Sequence, residues 1–320
     1  MGEPAQAQKI GGGDAGAALP RLVVFGEALT DFVRTGEDSW RSVPGGACWN
    51  VARVASTLGV ATAWGGSVSE DLFGDELLRH SEAAGLDLRF TQRVAQPPLL
   101  AIVPQLDPPQ YFFVGSADLG FDEDRLPAGW REACEYAHFG GISLVRQPVG
   151  ARLAALAESL HAQGVRISFD PNCRNLMGAD YPPVFERLAG VAGVLKLSDE
   201  DLRQIYPDLS TERALQRVRE LLQSGALLLY TRGADGMTLY VDGRSVDQRA
   251  LSVTVRDTVG AGDASMGGFL ASMLQHPGRD WPAHLHFSAA AAAAACTRAG
   301  AHAPRVEEVE ALLATERVRT

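Results

Sequence analysis

Strand-like and helix-like segments alternate along most of this 320-residue chain. Short apolar runs typical of buried strands occupy residues 22–25, 61–65, 137–139, 165–169, 193–197 and 226–230. Helical patterns lie between or after them, at residues 50–58, 75–84, 149–163, 183–188, 211–223 and 261–274. Buried strands that alternate with helices of this length are typical of right-handed βαβ units. The sequence therefore predicts an α/β fold with a mainly parallel central sheet flanked by helices.

One antiparallel addition to this sheet is also indicated. Asp242-Gly243 separates the strand-like residues 237–241 from residues 244–246, and a dipeptide of this kind is a strong hairpin signal. We expect the hairpin near an edge of the sheet.

The segment rich in Gly and Ala at the start of the chain predicts a flexible tail, residues 1–20, followed by one α/β domain, residues 21–320.

Two stretches interrupt the alternation, at residues 31–43 and 99–114. The second stretch carries strand-like residues 99–103 and 111–114 on either side of the turn Asp107-Pro108-Pro109. Both stretches read as short antiparallel strands. We expect them to form a small β-sheet lid, inserted into the main domain and standing off it.

The composition narrows the class of protein. The net charge is −10, with 29 basic against 39 acidic residues, which argues against a general nucleic-acid binder. No run of about 20 uncharged apolar residues occurs, so we expect no membrane partner, and the N-terminus lacks the pattern of a secretory leader. The four cysteines form no C-x-x-C pair, which indicates a reduced, cytoplasmic protein.

A glycine turn ahead of a helical pattern offers an anion site with a base beside it. The string is Asp257-Thr258-Val259-Gly260-Ala261-Gly262-Asp263. Backbone N–H groups at a helix N-terminus are unpaired and carry the positive end of the dipole, and glycine lets the backbone approach a charged oxygen. We expect the amides of Gly260, Ala261 and Gly262 to hold the anion and Asp263 to accept the proton of an alcohol. This arrangement suits phosphoryl transfer, although Asp at a helix start is also an ordinary cap.

Polar residues near the first strand form a second group of candidates. Asp31 follows that strand, at the edge where open α/β sheets bind ligands. Gly45 and Gly46 form another glycine turn, and the helix that it opens carries Asn50, a donor and acceptor for hydroxyl groups. Taken alone, these residues also fit a solvated loop aspartate and a simple turn.

A third group follows the later strands. Arg174, in Asp170-Pro171-Asn172-Cys173-Arg174, comes after the strand at 165–169. Its guanidinium could hold a phosphate or a carboxylate bidentately, or fix the loop by pairing with Asp170. Lys196 ends the next strand, and Asp201 follows in an acidic first turn that is also ordinary helix-dipole chemistry.

The complete glycine-turn string, with Ala264-Ser265-Met266-Gly267-Gly268-Phe269-Leu270 behind it, resembles the C-terminal signature of the ribokinase, or PfkB, family of ATP-dependent sugar and nucleoside kinases. Residues 26–52 resemble the GE-x-L-x-D-F and PGGAxxNVA strings of the family's sugar-binding half, especially in fructokinases. Residues 170–174 match D-P-N-x-R. The resemblance covers nearly the whole chain after about Leu22, and it implies a ribokinase-like kinase domain.

The resemblance assigns roles to the candidate residues. It implies that Asp263 is the catalytic base and that the amides of Gly260, Ala261 and Gly262 form the anion hole. It implies that the sugar hydroxyls are contacted by Asp31, Gly45, Gly46 and Asn50, and that Arg174 lies beside the sugar and the transferred phosphate.

The resemblance also implies ATP, Mg²⁺ and a monovalent cation, expected to be K⁺. Thr231, Gly233 and Gly236 match the family's T-x-G-x-x-G segment at the ATP site, where Lys196 is also placed. The family's N-x-x-E segment, associated with Mg²⁺ and phosphate, reads Ser198-x-x-Asp201 here, a shortened carboxylate. Oxygens that match residues 257–259, with Asp257 and Val259 at the ends, and the loop after Arg298 would hold the monovalent cation.

The expected reaction is transfer of the ATP γ-phosphoryl group to a primary hydroxyl of a sugar, with fructose as the first choice. The alternatives are 2-keto-3-deoxygluconate, whose carboxylate Arg174 would serve, and then ribose or a nucleoside. An alternative of another class is a non-catalytic sugar- or nucleotide-sensing protein on the same fold. The chain has no G-x-G-x-x-G after the first strand and no G-x-x-x-x-G-K-[ST], which weakens oxidoreductase and P-loop interpretations.

Two further expectations concern side chains to which the resemblance assigns no role. Cys48-Trp49 departs from the small residues that usually precede the Asn of this motif, so Trp49 either reshapes the sugar pocket or packs in the core. A small two- or three-stranded sheet is marginally stable alone. Phe112 or its neighbours in the lid are therefore expected to pack on a second subunit, which would give a homodimer.

Overall fold

The computed structural model describes residues 18–106, 109–178 and 180–319. The predicted tail at residues 1–20, apart from residues 18–20, and the Asp107-Pro108 part of the predicted lid turn lie outside the described residues. The strands are β1 Leu22–Phe25, β2 Leu29–Arg34, β3 Trp40–Gly45, β4 Thr62–Ser69, β5 Thr91–Val94, β6 Leu100–Leu106, β7 Pro109–Val114, β8 Tyr136–Gly140, β9 Arg166–Asp170, β10 Ala192–Ser198, β11 Leu227–Thr231, β12 Met237–Val241 and β13 Arg244–Gln248. The helices are α1 Ala47–Thr57, α2 Leu72–Ala83, α3 Trp130–Ala133, α4 Val149–Ala162, α5 Tyr181–Ala189, α6 Asp199–Ile205, α7 Thr211–Leu221, α8 Ala261–Gln275, α9 Trp281–Cys296 and α10 Val306–Arg319.

The main sheet has nine strands in the order β13-β12-β11-β10-β9-β8-β1-β4-β5. Every neighbouring pair from β5 to β11 is parallel, so the predicted α/β fold with a mainly parallel sheet is confirmed. The predicted hairpin is confirmed too, because β12 pairs antiparallel with both β11 and β13 at the sheet edge. Asp242 and Gly243 both have positive φ angles, 47° and 74°, as the tight turn of a two-residue hairpin requires.

Helices cover both faces of this sheet, and the alternation along β1 shows why. Leu22 and Val24 belong to the core cluster that contains α1, α8 and α9. Val23 and Phe25 belong to the cluster that contains α4, α5 and α7. A strand buried on both faces reads as a continuous apolar run, which is how β1 appears in the sequence. None of the helices in the described ranges is long and apolar enough to cross a membrane.

The parallel arrangement brings several loops to one edge of the sheet. Phe25, Phe139 and Phe169 lie side by side on β1, β8 and β9, and β10 and β11 continue in the same direction. Because the carboxyl ends of parallel strands lie at the same edge, the loops that follow them form one surface. The candidate residues after β1, β9, β10 and β11 therefore lie near one another.

A second sheet has four strands in the order β3-β2-β6-β7 and is separate from the main sheet. Its strands come from the two segments that were predicted to form the lid, and we call it the lid. The pairs β2–β3 and β6–β7 are antiparallel, as predicted, but the central pair β2–β6 is parallel. The reason is that β2 and β6 follow β1 and β5, which run in the same direction in the main sheet. Each hairpin therefore leaves the main sheet in the same sense, and the two join through their first strands.

Candidate active site

The predicted glycine turn forms the N-terminus of α8. Gly260 has a φ of 78°, and a side chain there would meet Ala301, since an added Cβ would lie 2.8 Å from the Ala301 Cβ. Both the conformation and the space therefore require glycine at this position. The N–H of Ala261 donates to the Thr258 carbonyl at 3.2 Å. The turn is thus closed at Ala261, and the next amides begin the helix.

Asp263 lies in the first turn of α8 and is 8% exposed. Burial raises the pKa of its carboxyl to about 6, and the Asn50 hydrogen bond works against this rise. In that bond Nδ2 of Asn50 donates to Oδ2 of Asp263 at 2.9 Å. A carboxyl with a pKa near neutrality is suited to accept a proton in a reaction near pH 7.

A cavity of about 110 Å³ lies between the lid and the main sheet and reaches Asp263. We call it the sugar cavity because it holds the residues to which the resemblance assigns the sugar. The structure brings seven of the predicted residues to its wall: Asp31, Gly46, Asn50, Arg174, Val259, Gly260 and Asp263. Gly45 lies just outside, where a side chain would collide with the Asp31 carboxylate. Gly46 has a φ of 115° and lies against the Glu27 carbonyl, so a side chain there is also excluded.

Asp31 extends from lid strand β2 into the sugar cavity. Burial raises the pKa of its carboxyl to about 6, with a further rise from Asp263 and an opposing effect from Arg174. Two raised carboxyl pKa values in one small cavity indicate a site built for hydrogen-bonding ligands.

Arg174 lies where the sugar cavity meets a second, larger cavity. Its Nη1 donates to the carbonyls of Asn172 and Cys173, at 3.3 and 2.7 Å. The guanidinium also lies over the ring of Tyr111 on lid strand β7, with 5.7 Å between Cζ and the ring centroid. Asp170 does not pair with Arg174; its carboxylate pairs with Lys196.

The larger cavity has a volume of about 660 Å³ and shares Asp263 with the sugar cavity. We call it the nucleotide groove because it holds the residues to which the resemblance assigns ATP. It also shares Arg174, Val259 and Gly260 with the sugar cavity. The predicted residues that line only the larger cavity are Lys196, Asp201, Thr231, Gly233, Gly236, Ala261 and Gly262. The glycine turn therefore forms the boundary between the two cavities. A phosphate bound at this turn would face a hydroxyl group held in the sugar cavity.

Lys196 and Asp170 form a buried ion pair under the glycine turn. Nζ of Lys196 donates to Oδ2 of Asp170 at 2.7 Å, and a Cβ placed on Gly262 would lie 3.5 Å from Nζ. Burial acts to lower the pKa of Lys196, but the carboxylates of Asp170 and Asp201 raise it overall. The ammonium therefore stays charged beside the N-terminus of α8.

The Asp201 carboxylate is engaged by donors from two loops. Oδ1 accepts from the Cys173 N–H at 2.6 Å. Oδ2 accepts from the N–H and the hydroxyl of Ser198, at 2.9 and 2.6 Å. The Ser198-x-x-Asp201 pattern thus forms a capping box at the start of α6, and Asp199 and Glu200 line the nucleotide groove beside it.

Asp257 joins the glycine turn to the loop after α9. Its Oδ1 accepts from the Val259 N–H at 3.1 Å and its Oδ2 from the Gly300 N–H at 2.8 Å. The two segments that were predicted to hold a monovalent cation are therefore adjacent. Val259 itself is exposed and lines both cavities.

Glu27 is a residue of the sugar cavity that the sequence reasoning missed. Its Oε1 accepts from the Ala47 N–H at 3.2 Å and its Oε2 from the Ser143 N–H at 3.4 Å. Burial raises its pKa to about 7. The available signal was a carboxylate placed directly after the carboxyl end of β1.

Two lid residues of the cavity were also missed. Tyr111 and Phe113 line it from β7, whereas Phe112 between them is 58% exposed. The period of two along a strand was the available signal. Trp49, in contrast, is fully buried in the main core and does not line the cavity.

Comparisons with known proteins agree with this geometry. Residues 19–308 match the model of the pfkB family carbohydrate kinases. A fructokinase of Rhizobium leguminosarum bv. trifolii is 32% identical over 262 residues, which are 79% of this chain and 79% of that protein.

Two solved structures are similar over almost their whole length. The fructokinase of Xylella fastidiosa with bound ATP has a TM-score of 0.83 and 26% identity, covering 93% of this chain and 100% of that one. A double mutant of the fructokinase of Vibrio cholerae O395, in a fructose, ADP and potassium ion bound form, has a TM-score of 0.79 and 25% identity, covering 92% and 98%. With the family model matched over most of the chain, the protein belongs to the pfkB family of carbohydrate kinases and is a sugar phosphotransferase.

Proposed function

We propose that the protein is an ATP-dependent fructokinase that phosphorylates a primary hydroxyl of the sugar. The observation that supports this most is the junction of the sugar cavity and the nucleotide groove at Asp263 and the glycine turn. The relatives named above include fructokinases, one with bound ATP and one with fructose and ADP.

Asp263 is proposed as the base. Its carboxylate would accept the proton of the hydroxyl as the oxygen attacks the γ-phosphorus, while the bond from that phosphorus to the ADP oxygen breaks. The amides of Gly260, Ala261 and Gly262 are proposed as the anion hole, with the Lys196 charge close by. Because the Ala261 N–H donates to the Thr258 carbonyl, a phosphate would have to displace that bond to use all three amides.

The charges in the sugar cavity favour a neutral polyol. Glu27, Asp31 and Asp263 line it, together with Asn50 and Asn172. Hydroxyl groups satisfy carboxylates by donating to them, whereas a sugar acid would add another negative charge. Arg174 lies at the junction with the groove, where it would meet the transferred phosphoryl group.

The size of the cavity also supports a monosaccharide. A volume of 110 Å³ has room for about seven to eleven waters at 10–15 Å³ each on this measure. A nucleoside carries a base in addition to its sugar and would need more space. We therefore place fructose ahead of 2-keto-3-deoxygluconate, ribose and nucleosides.

Thr231, Gly233 and Gly236 are proposed to line the site of ATP, and the groove that they border is large enough for a nucleotide. Mg²⁺ in such sites is held by one or two carboxylates together with phosphate oxygens and water. In the described ranges no cluster of three side chains could bind a metal by itself, which fits a cation held largely by the nucleotide. Asp201, with Asp199 or Glu200 beside it, would supply those one or two carboxylates, and the ion would neutralise charge on the phosphates.

Asp257 and Val259 are proposed to hold the monovalent cation together with the loop after Arg298. The carboxylate of Asp257 already bridges these two segments, and a potassium ion is present in the Vibrio cholerae fructokinase structure. The bound charge would fix the glycine turn. Equal rates in K⁺, Na⁺ and a large organic cation, at constant Mg²⁺, would contradict this assignment.

The outer face of the lid is proposed to pair with a second copy of the chain. Trp40, Phe112 and Val114 are large apolar side chains exposed on it, and an exposed apolar patch is typical of interaction surfaces. Phe112→Glu should convert a dimer to a monomer in analytical ultracentrifugation. Leu209→Glu, at another exposed apolar residue, is the control.

A coupled ADP-release assay across a sugar panel tests the function. Fructose should give a kcat/KM at least about tenfold above that for 2-keto-3-deoxygluconate, ribose or a nucleoside, because a site built to bind hydroxyls discriminates by the groups left unpaired. A highest value for 2-keto-3-deoxygluconate would overturn the assignment of the sugar. Saturable sugar binding by calorimetry without any ADP release would instead support the sensing protein.

A further inference from the structure

Helix α1 carries a guanidinium that the proposed reaction does not use. Arg53 stacks on Trp49, with 4.4 Å between Cζ and the ring centroid. Trp49 is fully buried, and its Nε1 donates to Oγ of Ser81 at 2.8 Å. The indole is therefore held on both sides and forms a rigid support for the guanidinium.

Arg53 has no acidic partner that would explain its position. Its guanidinium makes no ion pair within the ranges that the structure describes, and its buried Nε has no hydrogen-bond partner. Burial lowers its pKa to about 10, so it remains charged at neutral pH. The Arg53 side chain is partly buried and faces no carboxylate of the described part of the chain, so no ion pair offsets the loss of its hydration. This uncompensated loss points to a role other than stabilisation.

The contacts of the guanidinium lead to both parts of the site. Nη1 of Arg53 donates to Oδ1 of Asn50 and to the Ala301 carbonyl, each at 3.4 Å. Asn50 in turn donates through Nδ2 to Asp263. Ala301 packs against Gly260, where it leaves no room for a side chain. One charged group thus contacts the partner of the base and the residue behind the anion hole.

We infer that Arg53, supported by Trp49, is a positioning residue for phosphoryl transfer. It holds the Asn50 amide with Nδ2 toward Asp263 and keeps Ala301 against the glycine turn. The inference rests on the proposed function. It also gives a reason for Trp49 in a position where the sequence motif usually has a small residue.

The electrostatic consequence concerns Asp263. A cationic donor on Oδ1 polarises the Asn50 amide and strengthens its donation to the carboxylate. This donation favours the ionised form, so its loss should raise the pKa of Asp263 further. The other charged groups that face Asp263 stay in place when Arg53 is removed: Asp31 on β2, Asp170 on β9, Arg174 after β9 and Lys196 on β10. On the side of Arg53, the neighbouring titratable group is His80 of α2.

The test compares Arg53→Met with Arg152→Met in the full chain. Arg152 is a matched control because its Nε is also buried without a partner and its Nη2 donates to a carbonyl, that of Leu119 at 3.0 Å. Arg53→Met should lower kcat about tenfold and move the acid limb of the kcat/KM profile upward by about half a pH unit, as expected for a weakened bond to a charged group. Arg53→Lys should restore part of both effects. An unmoved profile with kcat within about twofold of the Arg152→Met value would overturn the inference.

A double-mutant cycle tests the route through Asn50. In an Asn50→Ala background, Arg53→Met should lower kcat by less than about twofold, because neighbouring residues in one network are not additive. If the loss of kcat in the double variant equals the product of the losses in the two single variants, the inference is contradicted. If the wild-type protein phosphorylates no sugar, the proposed function fails separately. The comparison then continues by calorimetry, where Arg53→Met should change the ratio of sugar affinities at about pH 5.5 and about pH 7.5 and Arg152→Met should not.

Discussion

Nζ of Lys196 and Oδ2 of Asp170 lie 2.7 Å apart, in an ion pair whose two side chains are 5% and 4% exposed. The pair crosses from β10 to β9 at the edge of the sheet where the cavities open. Neither charge has enough contact with water to remain ionised at low cost if its partner is removed.

Lys196→Met should therefore both destabilise the protein and stop turnover. Breaking a buried pair typically costs about 3–5 kcal/mol because one charge is left uncompensated. Denaturant unfolding measures the loss of stability. Adding Asp170→Asn to Lys196→Met should recover much of it without recovering activity. Recovery of turnover in the double variant would show that the ammonium is not needed near the transferred phosphate.

Asp263→Asn should lower kcat by about 10²–10⁴-fold, the usual contribution of a general base. ATP affinity should change little, because the amides of the glycine turn remain. Asp280→Asn is a matched control at another helix start, since the Asp280 side chain caps α9 and asparagine caps about equally well. A kcat above about a tenth of the wild-type value would exclude Asp263 as the base, because other groups could account for so small a loss of rate.

Activity and stability should change in opposite directions as the pH rises. Burial raises the pKa values of Asp31 and Asp263 to about 6 in the folded state, above the value of 3.8 for an unperturbed aspartate, which stands for the unfolded state. The folded state thus binds more protons than the unfolded state between these values, so the free energy of unfolding should fall as the pH rises through this range. Over the same range kcat/KM should rise, because the base becomes ionised. A kcat/KM that increases on acidification below pH 6 would contradict the assignment.

Asp31→Ala should weaken sugar binding far more than ATP binding. Loss of one hydrogen-bonding carboxylate leaves sugar hydroxyls unpaired. This should weaken the free energy of sugar binding by about 1.5–3 kcal/mol, the contribution of a hydrogen bond to a charged group. Calorimetry with each ligand measures the two affinities. Asp38→Ala is the control on the same hairpin, because Asp38 is exposed in the turn between β2 and β3. Equal losses in the two variants would remove Asp31 from the sugar site.

The lid should close further when the sugar binds. The Asn175 side chain donates to the Tyr111 carbonyl at 2.9 Å, so β7 is already tied to the loop beside Arg174. Closure would exclude the water that otherwise accepts the phosphoryl group. Amide hydrogen exchange in β2, β3, β6 and β7 should slow on addition of sugar. Protection that changes only around the glycine turn would mean that the lid does not respond.

Much of this architecture was predictable because its signals are local. The apolar run of β1, the Asp242-Gly243 turn and the glycine turn each lie within a few residues, and each requires one backbone conformation. That Asp31, Asn50 and Arg174 line one cavity could be expected, because carboxyl ends of parallel strands meet at one edge.

The parts that were missed depend on distant partners. The parallel pairing of β2 with β6 is set by the direction of two other strands, and no residue of β2 encodes it. Glu27 contacts amides at positions 47 and 143, so its role depends on contacts across the fold. Trp49 could be assigned to the core only once Ser81 and Arg53 were seen on either side of it.

The parallel pairing of β2 with β6 in the lid also affects the order in which the protein folds during synthesis. Thr30 pairs with Leu100, and between them the chain forms β3, α1, β4, α2 and β5. Contacts between residues so distant in sequence form slowly, because the intervening chain must first be ordered. During synthesis on a ribosome β2 of the first hairpin would therefore have an unpaired edge until the second hairpin has been synthesised. The sugar cavity, which needs both hairpins, would be among the last parts of the molecule to be completed.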